Sequence, residues 1–337
     1  MTSTPRVTLV PLAAGLHLRW PRYNAAVLDA LLRGASPDAV ALEPLPPAFD
    51  TDPSWQDHDE LLLPWVAVPW ARRAGVPVTG VHEPSPEPGA ASETERYLRS
   101  YAAAGAVFDQ LYALERPLGE LLGAALTLPR VLTEVVAVLE VTRRIRLEAF
   151  GDGPATEWEE ARAAVAARRV LELPAERPLV LVSLDRYVAL RETLRAAGAE
   201  IVVADEPPPD DAARERALLD LAWRGDGADP GALLAQLRRL GHAEARYHAA
   251  GLLLAHDHPA EALDELEGAL RLDFAEPWFL PGSLLARLGQ LRDLAGRRDE
   301  ARKAYRGVLA LGWAPSEARA AARDGLERPF TLEPPGA

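Results

Sequence analysis

Residues 284–315, LLARLGQLRDLAGRRDEARKAYRGVLALGWAP, hold two helical periods that break at Gly296 and stop at Pro315. In the first, Leu284, Leu285, Leu288 and Leu291 recur at i, i+1, i+4 and i+7, which sets four leucines on one helical face. In the second, Ala301, Ala304, Tyr305, Val308 and Leu309 repeat the apolar spacing after the polar turn. Small residues at Gly289, Ala301 and Ala304 suit two helices that cross closely, because larger side chains would push them apart. A lone helical hairpin cannot bury its apolar stripe, so it needs neighbours of the same kind.

A second hairpin lies upstream in YHAAGLLLAHDHPAEALDELEGALRLDFAEP, with Ala249, Ala250, Leu253 and Leu254 before the turn and Ala262, Leu266 and Ala269 after it. Together the two stretches resemble tetratricopeptide repeats, the helix-turn-helix units that stack into a groove for partner proteins. Leu288, Gly289, Gly296, Ala301 and Tyr305 carry the resemblance. Ala262 and Ala301 are 39 residues apart, against a usual period of about 34, and AEPWFLPGS is the expected bulge between them. DDAARERALLDLAWRGDGADPGALLAQLRRLGHAEAR offers another pair upstream, and PSEARAAARDGLERPF reads as a polar capping helix. The resemblance implies a protein or peptide partner in a concave groove lined by the first helix of each pair, including Arg246, His248, Arg287 and Arg292. Such a mildly basic groove suits an acidic peptide.

Composition bounds the remainder. At 337 residues the chain exceeds one small core, so two domains are expected. Its 48% hydrophobic and 26% charged residues are those of a globular protein. The absence of cysteine excludes disulfides, thiol nucleophiles and thiolate metal sites. A net charge of -13 argues against unspecific binding to nucleic acid. RRIR at 143–146 and ARR at 167–169 read as solvated helix faces. The one lysine, Lys303, leaves little for Schiff-base chemistry or a Walker loop, and no Gly-x-Gly-x-x-Gly, Gly-x-Ser-x-Gly or His-Glu-x-x-His occurs. No run is long enough to span a membrane and the N-terminus lacks a signal-peptide pattern, so a cytoplasmic location is expected.

The first 205 residues alternate strand and helix: RVTLVPL, DAVALEPL, VPVTGVHEP, PLVLVSLDR and AEIVVADEP are strands, with a long helical insertion over about 93–169. The expected fold is therefore an α/β domain, 1–205, built on a mostly parallel sheet with helices on both faces. The proline-rich segment 206–211 is the expected linker, and 212–337 the all-α repeat domain.

In such a sheet the ligand crevice lies beyond the carboxyl ends of the strands. Those ends carry His17, Glu43, His82, Glu83, Ser183, Asp185 and Arg186. One imidazole and several carboxylates are the donor set of a nitrogen–oxygen metal site or of an acid–base pair. Each residue also has a plain structural reading. His17 can pack beside Trp20, Asp185 can cap the following helix, and His256–Asp257–His258 can be a solvated turn.

The arrangement resembles the broad superfamily of TraB/TIKI-like, ChaN-like and erythromycin-esterase-like proteins. The matching pieces are Gly15 and His17, NAAVLDALLRGASPDAVALE ending at Glu43, AGVPVTGVHE ending at Glu83, EEARAAVAARRVLEL with Arg162, and PLVLVSLDRYVALRETLRAAGAEIVV. The resemblance implies a hydrolase-like site at His17, Glu43, Glu83, Arg162, Asp185 and Arg186. It also implies a divalent metal held by His17, Glu43, Glu83 and Asp185. Where the superfamily has glycine and histidine after its last long strand, this chain has Ser183 and Arg186. Arginine stays protonated and cannot ligate, so in a degenerate relative Arg186 should fill the vacated position and pair with Glu43 or Glu83. Two readings follow: an adaptor with a degenerate hydrolase-like domain, or a metal-dependent peptidase- or esterase-like hydrolase whose repeats recruit substrate.

Overall fold

The computed structural model describes residues 4–82, 104–151, 154–225 and 229–332. The chain divides into two compact units, Met1–Ala213 and Arg214–Ala337.

The first unit is built on five parallel strands: β1 (Arg6–Leu12), β2 (Ala39–Leu42), β3 (Val78–Gly80), β4 (Pro178–Ser183) and β5 (Glu200–Val203), in the order β3-β2-β4-β1-β5. β2 and β4 lie inside the sheet and are buried along their whole length, which is why they read as continuous apolar runs. Helix α1 (Ala25–Ala35) starts at Asn24, whose side chain accepts from the amides of Ala26 and Val27 and satisfies two orphan donors of the first turn. Its Ala30 and Leu31 face the same side of the sheet as Thr8, Leu179 and Val202.

The segment 59–75, which reads as one helix, instead makes a π-helical turn at Leu63–Ala67 before α2 (Val68–Ala74). Pro64 and Pro69 lack the amide a regular ladder needs. The expected insertion appears, among the described residues, as α3 (Ala104–Gly123), α4 (Val136–Phe150) and α5 (Pro154–Leu171). With α6 (Tyr187–Ala196), α4 and α5 cover the second face, where Val136, Ala166, Val170, Val188 and Leu194 pack on Val7, Leu9, Val180 and Val182.

One close approach shapes the carboxyl end of the sheet. A Cβ on Gly80 would stand 2.0 Å from the Pro46 carbonyl oxygen, so only glycine lets β3 end against the turn that follows β2. The backbone amides of Val81 and His82 then donate to Leu42 and Leu45, at 3.0 and 2.9 Å.

The expected linker does not run free. Arg22 pairs with Glu206 at 3.0 Å, and Asn24 Nδ2 donates to the Ala213 carbonyl at 2.9 Å. The division between the two compact units falls after Ala213, inside the first turn of α7 (Asp211–Arg224).

In the second unit α7 is followed by α8 (Pro230–Leu240), α9 (Ala243–Ala255), α10 (Pro259–Ala269), α11 (Leu280–Leu294), α12 (Arg298–Ala310) and α13 (Ser316–Glu327). Gly241 and Gly296 take left-handed conformations after α8 and α11, the usual helix-ending device. The fully buried Tyr305 of α12 lies between two glycines, one on each neighbouring helix. A Cβ on Gly289 would be 2.4 Å from its ring, and one on Gly325 would be 2.3 Å away. Its hydroxyl donates to Asp293 Oδ2 at 2.9 Å, and the same buried carboxylate accepts from Arg298 and from the amide of Phe330. α13 is thus more than a polar cap, since Ala318, Ala322 and Gly325 are buried. Leu309, expected on the apolar face, is 39% exposed.

This packing has a measurable consequence. Gly289→Ala should destabilise the protein by about 1–3 kcal/mol in chemical denaturation, the cost of overpacking a filled site. Gly312→Ala, with nothing within 4 Å of its Cβ, should stay within about 0.5 kcal/mol.

Candidate functional site

Glu43 is the residue after β2, and burial leaves its side chain 5% exposed. Its backbone amide donates to Leu181 of β4 at 2.8 Å, which fixes the carboxylate at the carboxyl rim of the sheet. Arg186, just after β4, donates from Nη1 to both Glu43 oxygens, at 3.1 and 3.3 Å. His82, brought in by the Gly80 contact, places Nδ1 at 3.9 Å from Glu43 and 3.5 Å from Arg186. Burial works to raise the Glu43 pKa, but His82 and the Arg186 guanidinium outweigh it and hold the carboxyl below its ordinary value.

α5 supplies the other wall. Arg162 Nη2 lies 2.9 Å from His82 Nδ1. A guanidinium only donates, so the imidazole nitrogen facing it accepts. The Arg162 guanidinium sits over the Trp158 ring, 4.2 Å from its centroid. Two turns further on, Arg169 Nη1 donates to the carbonyls of Val81 and His82 at 3.2 and 2.7 Å, pinning the end of β3.

A second carboxylate braces the rim from below. Glu60 Oε1 accepts from the Ser183 hydroxyl at 2.9 Å, and Oε2 from the Ala14 amide at 2.7 Å. Burial raises its pKa despite those donors. His58 accepts the Glu60 amide at Nδ1, 3.0 Å away. Its own pKa is lowered, first by burial, with Arg186 and His82 adding to the effect against Asp59.

His17 serves the loop that follows β1. Its Nε2 accepts from the Ala13 amide at 2.9 Å, and its Nδ1 lies 2.7 Å from the Tyr23 carbonyl, to which it donates. The ring meets Trp20 and Tyr23 edge-on, with centroids 5.4 and 4.7 Å away. Burial lowers its pKa to about 4. Both ring nitrogens are therefore occupied within the loop, leaving no lone pair for a metal.

The residues singled out in sequence thus separate. Glu43, Arg162 and Arg186 come together, with His82 between them. Asp185 is 74% exposed and faces Arg186 Nε at 3.8 Å. It is not the cap of α6, which has Arg186 at that position and no side-chain cap bond. Glu83 lies outside the described residues. Among the described residues, no three His, Asp or Glu side chains are grouped to hold a metal ion.

Each basic run has one structural arginine, while Arg144 and Arg168 are exposed as expected. Arg143, 12% exposed, pairs with Glu160 and Glu192 across helices, and Arg169 is the β3 clamp. Sequence reading missed Glu60 as a brace because WQDHDE has no period that marks it as buried. Trp158 carried one signal, its spacing four residues before Arg162 on a helix. No family model, curated protein or solved structure matches the chain.

The expected groove residues of the second unit are largely committed elsewhere. His248 is a core residue, its side chain 4% exposed, edge-on to Trp223 and 3.5 Å from Glu244. Arg246 pairs with Glu265 at 3.0 Å, and Arg292 with Glu267 at 3.3 Å. Arg287 is half-buried beside Tyr247, whose pKa burial raises and Arg287 only partly offsets.

His248 belongs to a buried ionic group. Arg216 donates to Asp220 at 2.8 Å and to Glu244 at 2.7 Å. The Arg216 guanidinium is shared between two buried carboxylates, with Arg224 also acting on Asp220. Burial pushes Asp220 up to about 7, while Glu244, against the same burial, is drawn down to about 2 by His248 and Arg216. Glu244 therefore stabilises the fold above its unfolded pKa of about 4.3 and loses that contribution as pH falls toward 2. Asp220 acts oppositely: holding its charge in the fold becomes costly as pH rises from about 4 to 7. Glu244→Gln should lower stability by about 2–4 kcal/mol at pH 7, and by less at pH 3. Asp220→Asn should gain on the unmodified chain between pH 4 and 7, as read from urea midpoints at several pH values.

Proposed function

We propose that the chain is a protein-interaction adaptor, in which tetratricopeptide-like helical repeats hold a protein or peptide and the α/β unit is a degenerate hydrolase relative. The observation that carries this reading is the Arg186 guanidinium on Glu43, at 3.1 Å, where a hydrolase of the resembled kind would place its metal ion. A permanent cation supplied by the chain neutralises the carboxylate that a metal would otherwise neutralise, and it offers no ligand in return. The locking of His17 inside its own loop supports the same reading.

On the repeat side, support comes from the helix pairs α9–α10 and α11–α12, each closed by a three-residue turn, and from Tyr305 seated between glycines of its neighbours. Of the four groove residues, Arg287 is the one for which no carboxylate partner stands among the described salt bridges. It is the residue we assign to partner contact. The rest of such a surface must be polar and apolar rather than broadly basic.

Two measurements test the proposal. After exposure to zinc or manganese and gel filtration, the purified chain should carry well under one metal per molecule by mass spectrometry. Stoichiometric metal that is lost in Glu43→Gln would establish the hydrolase alternative instead. For the repeats, Arg287→Glu should reduce the proteins captured from a lysate at a temperature where circular dichroism shows the variant still folded, and an unchanged capture profile would count against Arg287 as a contact.

A further inference from the structure

Three arginines meet at the rim, and their partners differ. Arg186 is matched by Glu43, and Arg169 by two backbone carbonyls. Arg162 has no carboxylate within ion-pair range among the described residues. Its Nη2 reaches only the imidazole of His82, and its Nε is buried with no hydrogen-bond partner. An unmet buried donor costs about 1–3 kcal/mol, and more when it is charged. The Trp158 ring at 4.2 Å holds the guanidinium plane and keeps it from swinging out to water. Arg186 adds a second guanidinium on the same imidazole, at 3.5 Å from His82 Nδ1, and its side chain is 31% exposed. Among the described residues, Arg162 and Arg186 both face the side of the rim where Glu43 is the buried carboxylate, and Arg186 alone is paired with it. Asp185 stands near Arg186, but at 74% exposure its charge is largely screened by solvent.

We propose that Arg162 and Arg186 together form a receptor for the oxyanion group of a small ligand, a carboxylate or a phosphate. Planar guanidinium forks match both groups, and charge-assisted bonds to them are the strong ones. His82 sets the separation of the two forks, and Arg169 fixes His82 through its carbonyl. Trp158 offers its indole beside the oxyanion for any flat or apolar remainder of the ligand. The proposal rests on the metal-free reading of the rim, because a bound metal would reorganise Glu43 and Arg186.

The test is titration of EDTA-treated full-length protein with inorganic phosphate and, separately, with sodium acetate at low ionic strength, followed by calorimetry. Binding of either probe is expected, and Arg162→Gln should weaken it by about tenfold or more. Arg116→Gln, an 88% exposed arginine on α3, should leave it unchanged. The arm that binds tells phosphate from carboxylate. Should Arg162→Gln fail to fold, the unmodified chain still reports: its Arg162 Nε–H should shift in arginine-labelled NMR as the probe is added. Absence of binding by both probes, or equal binding by Arg162→Gln, would overturn the receptor and leave the metal-free reading standing. Binding that appears only after metal is restored would overturn both.

Discussion

A carboxylate buried at the end of a strand must be neutralised, and the first unit is arranged around that need. Glu43 is carried inward by β2, which is covered on both faces, so water cannot do the work. Arg186 reaches it from the adjacent strand, and His82 closes from the other side. Each depends on the parallel register that sets β2 between β3 and β4. Had Gly80 carried a side chain, β3 could not end against Pro46, and His82 would not reach the pair. The rim is thus a set of constraints that support one another: a glycine, a carboxylate, and three arginines that hold what the glycine admits.

The helical unit obeys a different constraint, which is steric rather than electrostatic. Tyr305 is a large ring in a space made by leaving out two side chains, at Gly289 and Gly325. Its hydroxyl then ends on Asp293, which also gathers Arg298 and the amide of Phe330. One aromatic residue in this way ties three helices and the segment after α13. In the Arg216 group one guanidinium is shared between two buried carboxylates, and burial lets Asp220 hold its proton up to about neutral pH.

Much of the fold was legible. The strands of the first unit announced themselves by apolar runs, and the helices of the second by their period, because burial of one face imposes a repeat on the sequence. Glu43, Arg162 and Arg186 were also visible, from their places beside strand ends and on a helix. What the pattern hid was partnership. His248 and Arg292 looked like surface residues of a groove, yet one is core and the other is paired with Glu267. Arg169 looked solvated and is a clamp. Glu60 lay in a polar stretch with no period, and its burial could not be read there.

By itself the sequence determined the alternation of strands and helices, the turn from α/β to all-α, and the chemistry excluded by the lack of cysteine. These follow from local periodicity and composition, which each residue carries whatever its distant neighbours are. Tertiary structure alone decided which charges meet. The order β3-β2-β4 brings residues 43, 82 and 186 to one rim although they are far apart along the chain. Whether a histidine becomes a ligand or a loop brace is likewise settled by which backbone groups surround it, and for His17 those are Ala13 and Tyr23.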